Sequence, residues 1–284
     1  METIAKFHQV KDWQAPLKTL TAKKLSPHVG AEIGNLDLLR PLSADQVEDL
    51  HRALAQHLVL FFRDQKLDFD AQKRLAGYFG ELHVHVGPNT ESKALEGDPI
   101  VRRQHFDANS KKVSGEVWHT DQSCAEPPPL GSILYNHIVP PDGGGDTIFA
   151  SMYRAYEELP EKLKTYLEGM TATHDGSFAF GKNAPVAVHR IFPRHPVTGK
   201  KLLYVNRGFT TKINELNMQE NAAILPLLFQ YAEDPRWQLR FRWEAHSTAF
   251  WDNRCTQHVA IWDYFPHTRS GYRVQIRGHA NPQP

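Results

Sequence analysis

The chain has 284 residues and carries 33 Lys plus Arg against 32 Asp plus Glu, a net charge of +1 at pH 7. That balance, with no long basic block, argues against a nucleic-acid partner, and the longest apolar run, Leu58 to Phe62, is far too short to span a membrane. Cys124 and Cys255 are too few for a disulfide framework and lack the Cys-x-x-Cys spacing of structural zinc. The N-terminus lacks the basic and apolar regions of a signal peptide, so a cytoplasmic protein with one domain over 1–284 is expected.

Residues 1–24 show no sustained periodicity and are expected to drape over the domain. Val29 to Ile33 reads as a short strand. Ser43 with Gln46 three residues later forms a capping box and opens a helix to about His57, with Val47, Leu50 and Leu54 at helical spacing. Leu58 to Phe62 is a buried strand, and Phe69 to Phe79 a second helix closed by Gly80 as a left-handed cap. His83 and His85 share a strand face, placed for substrate contact or plain packing. Gly87 to Gly115, polar and broken by Pro88, Gly97 and Pro99, reads as a long excursion of the kind that often forms a lid.

Pro127 to Pro129 lead into a strand from Ile133 to Val139, and Pro140 to Asp146 reads as a hairpin corner. Its three glycines lack the following Lys-Ser/Thr of a phosphate-binding loop. Thr147 to Phe149 continues as a strand, Met152 to Met170 is helical around a break at Leu159-Pro160, and His174 to Gly199 is irregular, suited to an active-site mouth. Lys201 to Val205 is another strand, and Glu220 to Tyr231 a helix containing Pro226. From Trp237 to Trp243, Leu239, Phe241 and Trp243 alternate with Gln238, Arg240 and Arg242, and Tyr272 to Ile276 closes the chain as a strand. Many short strands with helices gathered in a few insertions predict a mainly β fold with helical insertions, a double-stranded β-helix of the jelly-roll, cupin-like kind.

The chemistry centres on His119 and Asp121. Residues i and i+2 of a strand face the same way, so one imidazole and one carboxylate project together. Two histidines and a carboxylate on one face of a metal, with the other positions open, mark non-haem Fe(II) oxygenases. His105-Phe106-Asp107 repeats the spacing but runs into the polar stretch Ala108 to Lys112, which makes it the poorer site. Both cysteines fall within six residues of a candidate ligand; oxidation there is conceivable, and two small buried residues is the simpler reading.

Trp118-His119-Thr120-Asp121, Gly144-Gly145-Asp146-Thr147 and Trp251-Asp252-Asn253-Arg254-Cys255-Thr256-Gln257-His258, followed by Arg269 and Arg273, resemble the taurine dioxygenase and 2,4-dichlorophenoxyacetate dioxygenase family of Fe(II)/2-oxoglutarate-dependent oxygenases. Phe61 to Gln65, Gly80 to His85 and Val205 to Phe209 extend the resemblance from about Leu25 to Gly278. It implies that His119, Asp121 and His258 bind Fe(II), and that Arg269, eleven residues beyond His258, and Thr147 hold the remote carboxylate of 2-oxoglutarate, with O2 as the third reactant. It further implies that Arg273 holds the anionic group of the substrate in a pocket lined by His85 and Phe209. Taurine-oxidising members carry a tyrosine where this chain has Pro88. The expected activity is hydroxylation of a small organic anion such as taurine or another sulfonate, a sulfate ester or an aryloxy acid. The alternatives are a non-catalytic metal- or anion-binding barrel and a zinc hydrolase, which also uses two histidines and a carboxylate. Association of copies into a dimer or tetramer is left open.

Overall fold

Val59 and Phe61 pack into one hydrophobic cluster while Leu60 and Phe62 pack into another, so this strand is buried on both faces. That explains an unbroken apolar run where a half-exposed strand would alternate. The computed structural model describes residues 10, 12–87 and 92–279. In chain order its elements are β1 (Thr21–Lys24), β2 (Ala31–Gly34), α1 (Ala44–His57), β3 (Val59–Phe62), α2 (Phe69–Gly77), β4 (Leu82–His83), β5 (Ser92–Leu95), β6 (Asp98–Phe106), β7 (Gly131–Ile138) and β8 (Thr147–Ser151). There follow α3 (Met152–Glu157), α4 (Glu161–Leu167), β9 (Thr171–Asp175), α5 (Ser177–Phe180), β10 (Val186–Arg190), β11 (Thr210–Ile213), α6 (Met218–Ala232), β12 (Gln238–Phe241), β13 (Ser247–Asp252), β14 (Thr256–Ala260) and β15 (Arg269–Ile276).

The large sheet runs β1-β2-β3-β13-β7-β15-β6-β5, with β4 also on β15, and the smaller sheet β12-β8-β14 faces it. Alternation across the large sheet sorts its residues: Leu134, Ala249 and Trp251 point inward, Ile133, Phe250 and Val274 outward. Phe61 stacks on Phe241 with ring centroids 3.9 Å apart, tying β3 to β12. The outer face is covered by α1 and α2 through Leu50, Leu54 and Leu75, and Phe79 meets Phe250 edge-on. Two sheets around one core with helices on the outside form the expected double-stranded β-helix. No helix among the described residues is long and apolar enough to cross a membrane.

The capping box at Ser43 and Gln46 is present. So are the break before Pro160 and the Pro226-containing helix, which gains its own capping box from Asn217 and Glu220. Several expectations are corrected. Residues 1–9 and 11 lie outside the described residues, but Thr21–Lys24 is an edge strand on β2 rather than draped chain. The short strand begins at Ala31 rather than Val29. Gly80 does not cap α2, which ends at Gly77; the Tyr78 N–H donates to the Arg74 and Leu75 carbonyls instead. Within the 87–115 excursion, 92–95 and 98–106 are strands, because β6 pairs with β15 and β5 with β6; residues 88–91 lie outside the described residues. Pro140 to Asp146 is not a hairpin corner: β7 and β8 lie in different sheets, and the turn carries the chain from one to the other. Residues 174–199 are irregular only in part: they hold the end of β9, α5 and β10, while 181–185 and 191–199 lie outside helices and strands. Lys201–Val205 forms no strand beyond a single bridge at Lys201; Leu203 and Tyr204 donate to the carbonyls of Met152 and Ile191. The last strand starts at Arg269, three residues earlier than expected, and that places Arg269 in the sheet.

Candidate active site

His119 does not stand on a regular strand. It forms a single antiparallel bridge with His258, N–H to carbonyl in both directions at 3.1 and 2.9 Å, and Asp121 begins a turn. What stiffens the segment is side-chain stitching. Asn253 accepts the Asp121 N–H at 2.8 Å and donates to the carbonyls of Asp121 and Pro129. Thr120 Oγ1 donates to the Thr256 carbonyl, and the Gly208 N–H to the Trp118 carbonyl. Asn206 donates to Ser123, two residues past Asp121. The motifs around 205–209 and 251–258 are therefore the fasteners of the His119–Asp121 turn. Behind them Asp252 is buried and held by Arg254 through both oxygens, at 2.8 and 2.6 Å, and by His195 at 3.0 Å. His195, Asp252 and Cys255 also lie close enough to hold a metal, but the Arg254 guanidinium already occupies that carboxylate.

His119, Asp121 and His258 bring one donor atom each within 4.8 Å of one another, and they face a cavity of about 380 Å³. Each donor is prepared. His119 Nδ1 lies 2.8 Å from the Val117 carbonyl, so Nδ1 carries the proton and Nε2 keeps its lone pair 3.6 Å from Asp121 Oδ1. Burial and the neighbouring His119 hold His258 well below the ordinary histidine range, so it is neutral. Burial alone would raise the Asp121 carboxyl, but the Arg273 guanidinium at 3.0 Å keeps it well below the carboxylate range, and Ser132 donates to its other oxygen at 2.6 Å. An ionised carboxylate at Asp121 and a neutral imidazole at His258 are charge states a divalent cation needs. Gly115, with φ +89°, admits close packing against the site, since a Cβ there would lie 3.1 Å from His119 Cε1.

Every site residue expected from the sequence lines this one cavity: His85, His119, Asp121, Thr147, Phe209, His258, Arg269 and Arg273. Arg269 is 5% exposed, and its Nε and Nη2 have no partner. Its guanidinium lies 5.3 Å from the Trp243 ring centre, and Trp243 in turn donates to Thr147 Oγ1 at 3.0 Å. Gly145 lets Arg269 pass, because a Cβ there would lie 3.0 Å from Arg269 Cδ. His85 accepts the Gly87 N–H on Nδ1, which leaves its proton on Nε2, and its ring meets Phe180 edge-on. Phe180 also packs on Phe209 at 5.6 Å. The role considered for Pro88 lies outside the described residues. His105 is on the other face of β6, bonded to Ser270, and joins no third donor among the described residues. Sequence reasoning missed Arg102, Gln104, Trp243, Phe178 and Phe180 as wall residues. Only Trp243 had a signal, the apolar alternation from Trp237 to Trp243. Burial raises Cys124 to about 12 and Cys255 well above the thiol range, so both are inert packing residues.

A double-stranded β-helix that opens two histidines and a carboxylate onto a cavity has the architecture of the mononuclear non-haem oxygenases. A family model described as taurine catabolism dioxygenase TauD, TfdA family matches residues 21–275. An alpha-ketoglutarate-dependent dioxygenase of Penicillium expansum is 35% identical over 88% of this chain and 73% of its own. An alkylsulfatase of Acinetobacter baylyi is 31% identical over 93% and 87%. The crystal structure of a taurine dioxygenase from Burkholderia xenovorans superposes with a TM-score of 0.81 at 33% identity, covering 92% of each chain. This chain belongs to the TauD, TfdA dioxygenase family. It is an oxidoreductase that depends on Fe(II), 2-oxoglutarate and O2, which sets aside the zinc hydrolase and the non-catalytic barrel.

Proposed function

We propose that the enzyme hydroxylates a carbon next to a hetero-atom in a small organic anion, a sulfonate, sulfate ester or aryloxy acid, with His119, Asp121 and His258 as the iron ligands. The observation that carries this reading is the buried guanidinium of Arg269, whose Nε and Nη2 find no hydrogen-bond partner among the described residues, on the wall of the cavity that holds the donor set. A buried charge without a counterion is costly, and the remote carboxylate of 2-oxoglutarate, in a two-pronged contact, supplies one. Thr147 adds a hydroxyl beside it. When bound, Fe(II) with 2-oxoglutarate and O2 supplies the oxidising chemistry, yielding succinate, CO2 and a hydroxylated substrate; a sulfonate hydroxylated beside sulfur then sheds sulfite.

The chain's own residues bind and orient. Arg273 lies against Asp121, so an anion held by Arg273 places its neighbouring carbon beside the metal. Phe180 and Phe209, packed together over the cavity, exclude water from that carbon. Two of the relatives are named for alkyl sulfates and for taurine, which supports an anionic substrate. Anaerobic addition of Fe(II) and 2-oxoglutarate should give a metal-to-ligand charge-transfer band in visible light, followed in air by succinate release with one or more anions from a panel of sulfonates, sulfate esters and aryloxy acids. No band, and no succinate with any of them, would refute the proposal.

A further inference from the structure

The chain that leaves β14 runs back along the turn that leads into β8. The Ile261 N–H donates to the Asp146 carbonyl at 2.9 Å, Asp263 accepts the Gly145 N–H at 2.8 Å, and Arg240 bonds the carboxylates of both Asp146 and Asp263. Between these ties and β15, the His267 N–H closes a tight turn on the Tyr264 carbonyl at 2.7 Å. Tyr264 is thereby set in the corner between the turn that carries Thr147 and the strand that begins with Arg269. Its side chain packs with Phe106 and Val113, is 1% exposed, and does not line the cavity. Tyr264 and Arg269 both lie against Gly145, where a Cβ would come 3.1 Å from Tyr264 Cδ1 and 3.0 Å from Arg269 Cδ. The Tyr264 hydroxyl, like Nε and Nη2 of Arg269, finds no hydrogen-bond partner of ordinary length among the described residues. Burial raises the phenol, so it stays protonated; burial lowers the guanidinium, which Tyr264 and then Asp146 draw back towards its charged form.

We propose that Tyr264 is a positioning residue of the cosubstrate site: its ring and hydroxyl hold the Arg269 guanidinium in the orientation that meets the remote carboxylate of 2-oxoglutarate beside Thr147. The inference rests on the proposed role of Arg269. A two-pronged guanidinium–carboxylate contact is strong only when both N–H groups point at the two oxygens, and a side chain with several rotatable bonds does not keep that aim by itself. Trp243 supports the guanidinium through its ring, 5.3 Å away. The phenol oxygen, accepting from one N–H while the other donors stay free for the ligand, fixes it at a second point.

The keto acid 2-oxopentanoate has the carbon chain of 2-oxoglutarate without the remote carboxylate, so the ratio of the two affinities isolates the grip on that group. Calorimetry on Mn(II)-loaded enzyme reads both without turnover, 2-oxoglutarate by direct titration and 2-oxopentanoate by displacement of it. Tyr264→Phe, which keeps the ring, should lower the ratio about tenfold, the order for one hydrogen bond to a charged group, and leave the affinity for 2-oxopentanoate near that of the wild type. The same substitution in an Arg269→Leu background should leave 2-oxoglutarate affinity unchanged, since Tyr264 acts through Arg269. A ratio unchanged in Tyr264→Phe, equal weakening of both keto acids, or an undiminished effect in the Arg269→Leu background would overturn the inference. Arg269→Leu by itself separates the two levels. If it leaves the wild-type ratio intact, the proposed role of Arg269 falls; if it collapses the ratio while Tyr264→Phe does not change it, only the role of Tyr264 falls.

Discussion

His119 and His105 each precede an aspartate by two residues, yet they meet opposite surroundings. One bridges to His258 beside a cavity, and the other bonds Ser270 on the far face of β6. His119→Ala or His258→Ala should therefore abolish succinate release and the charge-transfer band, while His105→Ala leaves both largely intact; equal damage from His105→Ala would move the site. The two arginines of β15 divide the anions. Arg269→Leu should raise the KM for 2-oxoglutarate by roughly 30- to 150-fold, the loss of a charge-assisted pair of about 2 to 3 kcal/mol. Arg273→Leu should raise the KM of the second substrate to a similar degree and leave uncoupled 2-oxoglutarate decarboxylation partly intact. Because Arg273 also bonds Asp121, it should in addition weaken metal retention modestly, readable by dialysis against a chelator.

At the scale of elements, the site depends on segments that are not themselves regular. The turn through Asp121 is held to the β13–β14 connection by two hydrogen bonds of Asn253, which donates a third to the Pro129 carbonyl. Asn253→Ala removes all three and leaves the Asp121 N–H and carbonyl without those partners. Metal affinity should fall about 10- to 100-fold, as for losses in the shell behind a ligand, with secondary structure retained by circular dichroism. An unchanged affinity would show that the His119–His258 bridge alone fixes the turn. The element boundaries also show what a one-dimensional pattern leaves out. Strand β6 was hidden in a polar stretch because its residues are chosen by what they face: Arg102 and Gln104 line a cavity, while Arg103 and His105 share the opposite face with Tyr272 and Ser270. Leu202 to Val205 looked like a strand because it is apolar and extended, but it lies between α3 and the segment after β10 with no ladder to join.

Over the whole molecule, several histidines are buried in the neutral form. Burial pushes His51 down to about 4 and His174 down to about 3, against an ordinary value of 6.5. Above pH 6.5 both are neutral folded and unfolded, and their contribution to stability is complete. Below it the unfolded chain takes up protons that the native state refuses, so stability falls as pH drops towards 4, by about 1.4 kcal/mol per pH unit for each histidine. Urea unfolding at pH 7.5, 6 and 5 should show this decline, and replacing His51 by Gln should make it shallower even though the variant is less stable at pH 7.5.

The capping box at Ser43, the doubly buried strand Val59–Phe62, the alternation of β12 and the paired motifs around His119 and His258 were legible in the sequence, because each rests on interactions within a few residues or on burial that leaves a period. The eight residues expected from the family resemblance line one cavity. The tertiary structure alone decided that Asn253 clamps Asp121 across 132 positions, that Trp243 joins Arg269 to Thr147, and that Arg102 stands opposite Arg273. These are contacts between strands distant in sequence, set by register, and a shift of one residue in β6 would turn Arg102 to the outer face.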